Sequence, residues 1–251
     1  MLRHRVIPVI LLHNKGLVKT RQFRSPVYLG DPLNAINIFN DKEVDELIFL
    51  DIDATKNKQN INFELIANIA SECFMPFTYG GGISSVEEIE RLFHIGVEKV
   101  VINSSLSDEN LIKEAVRRFG SQSIVASIDI KNGKIYSHSK NTYLSSNIDS
   151  YINSLISLNV GEIFLNSVNR DGMMEGYDIE MIKRVCDISP VPVIACGGAR
   201  DLNDFKKIIF ETKVSAVAAG SFFVFVGVHD AVLITYPRYE TLERFLESDN
   251  E

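Results

Sequence analysis

The two halves of this chain repeat one another, and a half-chain repeat leaves few architectures open. Pro76-Phe77-Thr78-Tyr79-Gly80-Gly81-Gly82 returns 116 residues later as Pro192-Val193-Ile194-Ala195-Cys196-Gly197-Gly198. The apolar stretch ending in Asn103-Ser104 returns as the one ending in Gly220-Ser221, with Ser104 and Ser221 117 apart. Glu46 matches Glu162, each just before an apolar run. Val6-Ile7-Pro8-Val9-Ile10-Leu11 aligns with Ile124-Val125-Ala126-Ser127-Ile128-Asp129 at an offset of 118, which sets Leu11 opposite Asp129.

Glycines after a strand let backbone N–H groups approach an anion, and a helix N-terminus beyond them adds positive dipole. Gly81, Gly82, Asn103 and Ser104 in one half, and Gly198, Gly220 and Ser221 in the other, are therefore candidate phosphate-binding residues. The bland alternative is that these glycines only make tight turns. The duplication and the small polar pairs favour two anion sites, or one ligand with two phosphates.

Eight apolar runs carry the strand signal: Val6–Leu12, Leu47–Leu50, Phe77–Tyr79, Val100–Ile102, Ile124–Ile128, Ile163–Leu165, Val193–Ala195 and Val214–Ala219. Helical spacing or capping residues lie between most of them. Asp31-Pro32 opens a helix through Phe39, Ser84 and Glu87 form a capping-box pattern, and Asp178 caps a helix to about Cys186. Eight βα units in one domain spanning residues 1–251 predict a (β/α)8 barrel with twofold pseudo-symmetry. An open doubly wound sheet is the alternative, and the repeat favours closure. Lys19 to Tyr28 is polar without a period and reads as a long mobile loop. Residues 131–147 read as a small hairpin or a loop, and residues 231–247 as a last helix delayed by Pro237.

The net charge of −7 argues against nonspecific nucleic-acid binding. The most apolar stretch, Val214 to Val228, is broken by Gly220 and Gly227 and falls short of the ~20 residues a membrane helix needs. Cys73, Cys186 and Cys196 have no metal-ligand spacing, so no metal and no cofactor is expected. An odd cysteine count, and no apolar leader after Met1-Leu2-Arg3-His4-Arg5, point to the cytoplasm.

Arg5-Val6-Ile7, Gly30-Asp31-Pro32, Asp45 to Ile52, Gly80-Gly81-Gly82-Ile83, Phe119-Gly120-Ser121-Gln122, Ala126-Ser127-Ile128-Asp129, Arg170-Asp171-Gly172 and Cys196-Gly197-Gly198-Ala199 together resemble the HisF family, the cyclase subunits of imidazole glycerol phosphate synthase. The resemblance runs along nearly the whole chain. It implies a subunit that takes ammonia from a HisH-like glutaminase through the barrel axis and joins it to a bis-phosphorylated substrate at the barrel top. It also implies a catalytic pair of aspartates at the ends of strands 1 and 5. Strand 5 supplies Asp129, but strand 1 supplies Leu11, which carries no proton. His13 and Asn14 are the polar residues nearby. The four residues of the family's ammonia gate match as Arg5, Glu46, Lys99 and Glu162, each just before a strand.

The segments Leu11 to Thr20 and Gly220 to Pro237 look like the HisF-like branch found beside surface-polysaccharide enzymes. The leading expectation is therefore a synthase subunit channelling ammonia for sugar amidation, working with a HisH-like glutaminase on the N-terminal barrel face and a sugar amidotransferase. The alternatives are a histidine-pathway lyase/cyclase acting on a bis-phosphorylated ribulosyl substrate, a non-catalytic scaffold barrel, and an isomerase of the sister HisA family. The gate argues against the isomerase, which needs no ammonia.

Overall fold

A strand buried on both faces needs apolar residues at nearly every position, and β1 (Arg5–His13) meets that demand. The other barrel strands are β4 (Leu47–Asp51), β5 (Phe77–Gly80), β6 (Lys99–Ile102), β7 (Ile124–Lys131), β10 (Glu162–Ser167), β11 (Val193–Cys196) and β12 (Ala216–Ala219). In this computed structural model, which describes residues 4–55, 57, 60–227 and 229–247, they pair in parallel in that order. β12 returns to β1 through Arg5↔Ala216 and Val6↔Val217, so the sheet closes into a (β/α)8 barrel. Met1-Leu2-Arg3, where no leader was expected, and Val228, the end of the apolar run, lie outside the described residues.

Strand alternation sorts the side chains into two cores. Val6, Ile10, Leu47, Phe49, Ile102 and Ala126 point outward and pack under the helices. Ile7, Val9, Ile48, Val101, Val125, Phe164, Ile194, Ala216 and Ala218 fill the barrel interior, with Leu11 and Leu50 at its upper edge. The outer layer contains α1 (Pro32–Asp41), α2 (Phe63–Glu72), α3 (Val86–His94), α4 (Glu109–Phe119), α5 (Ile148–Ser157), α6 (Ile179–Ile188) and α7 (Leu202–Glu211).

Of four local expectations, the first loop and the capping box change, while the second hairpin and the delayed last helix hold. Lys19 to Tyr28 is a hairpin rather than a mobile loop, with β2 (Gly16–Arg21) paired antiparallel to the end of β1 and to β3 (Arg24–Gly30). Its turns place Asn14, Lys15, Gln22 and Phe23 at φ of 48°, 66°, 51° and 62°, left-handed conformations those residue types do not announce. Residues 131–147 form a second hairpin, β8 (Lys134–Ser137) and β9 (Thr142–Ser145), paired to β7. The capping box sits one residue later than the pattern suggested, on Ser85 and Glu88. Beyond β12 lie a single turn α8 (Ser221–Val224) and a short hairpin, β13 (Phe225–Val226) with β14 (Ala231–Val232), before α9 (Tyr239–Glu247) begins after Pro237.

Candidate functional site

At the N-terminal end of the barrel the inward positions are charged. Arg5 donates 2.6 Å bonds to Glu46 Oε2 and to Glu162 Oε1. Lys99 Nζ lies 3.3 Å from Glu46 Oε2 and 3.1 Å from Glu162 Oε2. The four side chains thus close a ring of alternating sign. Thr78 steadies it by donating 2.9 Å to Glu46 Oε1. Burial works against the Arg5 charge, but Glu162 and Glu46 outweigh it and hold the guanidinium above its ordinary value. Arg5, from the first barrel strand, reaches Glu162, from the sixth, and so bridges the widest gap in the ring.

Above the ring the axis is lined by the apolar interior core. From Arg5 to Leu11 is six residues of strand, roughly 20 Å of path. At the C-terminal end the strands open onto a cavity of about 230 Å³. Leu11, His13, Leu50, Asn103, Asp129 and Asn166 are in its wall. Leu11 pairs with Leu50, and Asp129 pairs with Asn166, in equivalent registers of the two half-barrels. One half presents two leucines to the mouth where the other presents an acid and an amide.

Asp129 is buried, and burial pushes its carboxyl up to about 7, with Asn103 opposing the shift and Asp171 adding to it. An acid near 7 can hold or release a proton at neutral pH. Cys196 also lines the cavity, but burial pushes its thiol up to about 12, so it stays protonated and is a poor nucleophile. Among the described residues no cluster of histidine, cysteine and acidic side chains is arranged to hold a metal.

The structure divides the candidate phosphate residues. Gly81, Gly82, Asn103, Ser104 and Gly220 line the mouth cavity, whereas Gly198 and Ser221 are absent from its lining. Gly81 and Gly82 sit at φ of 122° and 72°. A Cβ on Gly81 would lie 2.3 Å from the Asp51 carbonyl oxygen, so a side chain does not fit there. Gly82 N donates 3.3 Å to Thr55 Oγ1, which is 3.4 Å from Ser104 Oγ. In the second half Gly198 packs on Gly176, where a Cβ would come within 2.1 Å of the Gly176 oxygen. The Lys19 stem lies over Gly220, and Ser221 Oγ is buried without a protein hydrogen-bond partner. The helical segments that follow the polar pairs directly are single turns, at 104–107 and 221–224, so their dipoles add little.

Two clusters escaped the sequence. Lys19 Nζ and Thr20 Oγ1, from the β2–β3 hairpin, both donate to Asp171, which also accepts from Phe23 N. The pair is buried and pins the hairpin beside the mouth. His13 Nδ1 is 2.7 Å from Asp53 Oδ1, so this histidine is tied down. Nothing in the sequence links Lys19 to Asp171 or His13 to Asp53.

The family model described as "Histidine biosynthesis protein" matches residues 5–229. A Pseudomonas aeruginosa protein, provisionally named imidazole glycerol phosphate synthase subunit hisF2, is 50% identical over 97% of this chain and 99% of its own length. A Leptospira borgpetersenii protein, provisionally named imidazole glycerol phosphate synthase subunit HisF, is 46% identical over 94% of this chain and 96% of its own. The imidazole glycerol phosphate synthase subunit HisF of Helicobacter hepaticus is 37% identical over 94% of this chain and 95% of its own.

Proposed function

The chain belongs to the HisF family of histidine biosynthesis proteins, and on that premise we propose that it is the synthase subunit of a glutamine amidotransferase complex. A HisH-like glutaminase docks on the N-terminal face of the barrel, with Glu98 near the rim, and ammonia passes along the axis to the mouth. The observation that carries this reading is the closed ring of Arg5, Glu46, Lys99 and Glu162 at the base of an otherwise apolar interior. Bare charges are expensive to bring into such an interior, so the path favours neutral ammonia over ammonium.

At the mouth, Asp129 is the acid–base group and the Gly81–Gly82 loop with Ser104 receives a phosphate of the acceptor. Leu11 leaves the strand-1 side of the mouth without an acid at the family position. That favours a reaction simpler than lyase and ring closure, and the acceptor proposed is a sugar amidated in surface-polysaccharide biosynthesis with a sugar amidotransferase. The names of the relatives favour a second acceptor, the bis-phosphorylated ribulosyl substrate of imidazole glycerol phosphate synthase.

The test supplies the purified chain with a HisH-like glutaminase, glutamine, and each acceptor in turn, the sugar together with its sugar amidotransferase. The expected result is negligible turnover of the bis-phosphorylated substrate, since the acid that lyase and ring closure use at the Leu11 position is absent and such a group contributes roughly 10²–10⁴-fold, together with glutamine-dependent amidation of the sugar. Turnover of the bis-phosphorylated substrate at the rate of a family member with both aspartates overturns the sugar reading. Failure of any glutaminase to couple overturns the channel.

A further inference from the structure

We propose that His13, oriented by Asp53, is the proton acceptor on the strand-1 side of the mouth, completing with Asp129 an acid–base pair in which Leu11 takes no part. The inference rests on the reading that ammonia reacts in the mouth cavity.

Side chains two apart on a strand share a face. β1 runs to His13, so His13 is the next inward position above Leu11, and it lines the same cavity as Leu11 and Asp129. The ring does not sit on a loose loop. His13 pairs with Gly16 across the two-residue turn Asn14-Lys15, whose left-handed φ values of 48° and 66° mark the tight hairpin geometry.

Asp53 is built to hold the ring. It is buried, and its N–H donates 2.9 Å to Asp51 Oδ1. Its Oδ2 accepts from Asn14 N at 2.8 Å, which leaves Oδ1 for His13 Nδ1 at 2.7 Å. On the other side of the ring, Asn14 Nδ2 is 2.9 Å from His13 Nε2. An amide nitrogen only donates, so Nε2 accepts and Nδ1 carries the proton to Asp53. The lone pair a general base needs is thus on Nε2, on a side chain one-third exposed at the mouth.

The step balances within the cavity. Ammonia nitrogen attacks an electrophilic carbonyl carbon of the acceptor, forming the N–C bond, and the C=O π pair moves onto oxygen. The positively charged nitrogen gives one proton to His13 Nε2, displacing the Asn14 amide. Protonated Asp129 gives its proton to the oxygen. His13 leaves the step as imidazolium beside the Asp53 carboxylate, and Asp129 as carboxylate. Exchange with solvent returns both. Burial holds Asp129 near 7, so its protonated form is present at neutral pH.

The experiment uses the whole chain with ammonium chloride as nitrogen source and no glutaminase, so failure of the channel does not touch its readout. It is run with both acceptors named above. His13→Gln should lower kcat at least a hundredfold, the lower part of a general base's contribution, with the acceptor KM within about threefold. Imidazole in the buffer should restore part of the turnover of His13→Ala. Asp53→Asn, which removes a positioning residue, should lower kcat and leave KM. A His13→Gln variant within about threefold of wild-type kcat overturns the proposal. Should neither acceptor turn over, the ring nitrogens decide. Nitrogen-15 spectra of the wild type should show His13 as the Nδ1–H tautomer at neutral pH, lost in Asp53→Asn. An Nε2–H tautomer, or one indifferent to Asp53→Asn, overturns it.

Discussion

Asn103 donates from Nδ2 to Asp129 Oδ2 over 3.2 Å, joining neighbouring strands at the mouth. The bond favours the carboxylate, but burial is the larger effect and holds Asp129 at about 7 rather than 3.8. Between about pH 4 and 7 the folded protein therefore binds more protons at this site than the unfolded chain, and stability falls as pH rises through that window. The difference is on the order of 4 kcal/mol. Asp129→Asn should therefore be more stable than wild type at pH 8, by up to that amount, and nearly equal below pH 4, as read by urea denaturation. Its turnover should drop by roughly 10²–10⁴-fold.

Removing Lys99 leaves Glu46 and Glu162 with Arg5 as their remaining basic partner in the ring. Their side chains are 3% and 11% exposed, so the loss of stability should approach, without reaching, the ~3–5 kcal/mol of a fully buried pair. In the complex, Lys99→Ala should release ammonia to solvent during glutamine hydrolysis while turnover with added ammonium survives. A mutant that couples as well as wild type removes the support for a gate.

The two candidate anion loops should differ in strength. The Gly81–Gly82 loop opens on the cavity, while the Lys19 stem crosses the Gly220 loop. Inorganic phosphate should raise the melting temperature in two steps, and Gly82→Ala should remove the tighter one. Ala at 82 would also cost about 1–3 kcal/mol, since its φ is 72° and a Cβ would lie 2.6 Å from that of Ala54. Ser221→Ala should affect the weaker step alone.

The hairpin over the mouth is pinned by a buried pair. Lys19→Met keeps the stem over Gly220 and leaves Asp171 without its cation. Trypsin should then cut after Arg21 and Arg24 at least about tenfold faster, because each 1.4 kcal/mol lost from local closure raises the open population tenfold. Equal cleavage rates would mean the hairpin is held by its ladder alone.

The barrel was legible because its strands are buried on both faces, and a run such as Val6 to Leu12 has few other fates. The ring at the base was legible through the resemblance, since each member directly precedes a strand. The β2–β3 hairpin was not. Its polar residues Lys19 and Thr20 are buried, while Val27 and Tyr28 are 53% and 67% exposed, so the alternation that marks a half-buried strand is inverted. His13 was visible as a polar neighbour of Leu11, but its partner Asp53 is 40 residues away and only the closed sheet brings the two together. The shifted capping box has a smaller cause. Ser84 and Ser85 are both adequate caps, and both reach Glu88, so backbone conformation decides between them.

Under the proposed channel, the base of the barrel would work like a bolt in a strike plate. The acids are the plate: Glu46 accepts from Thr78, and it and Glu162 are 3% and 11% exposed. The cations are the bolts, with Arg5 26% and Lys99 21% exposed on long, flexible stems. Anything entering the axis from below would meet more exposed groups that are all positive and a more buried frame that is all negative. A cationic visitor would be repelled by the bolts and then trapped by the frame, whereas a small neutral one is neither. Each of the two contacts broken by sliding one bolt aside is remade when it slides back, so the charges that would shut such a passage would also reset it.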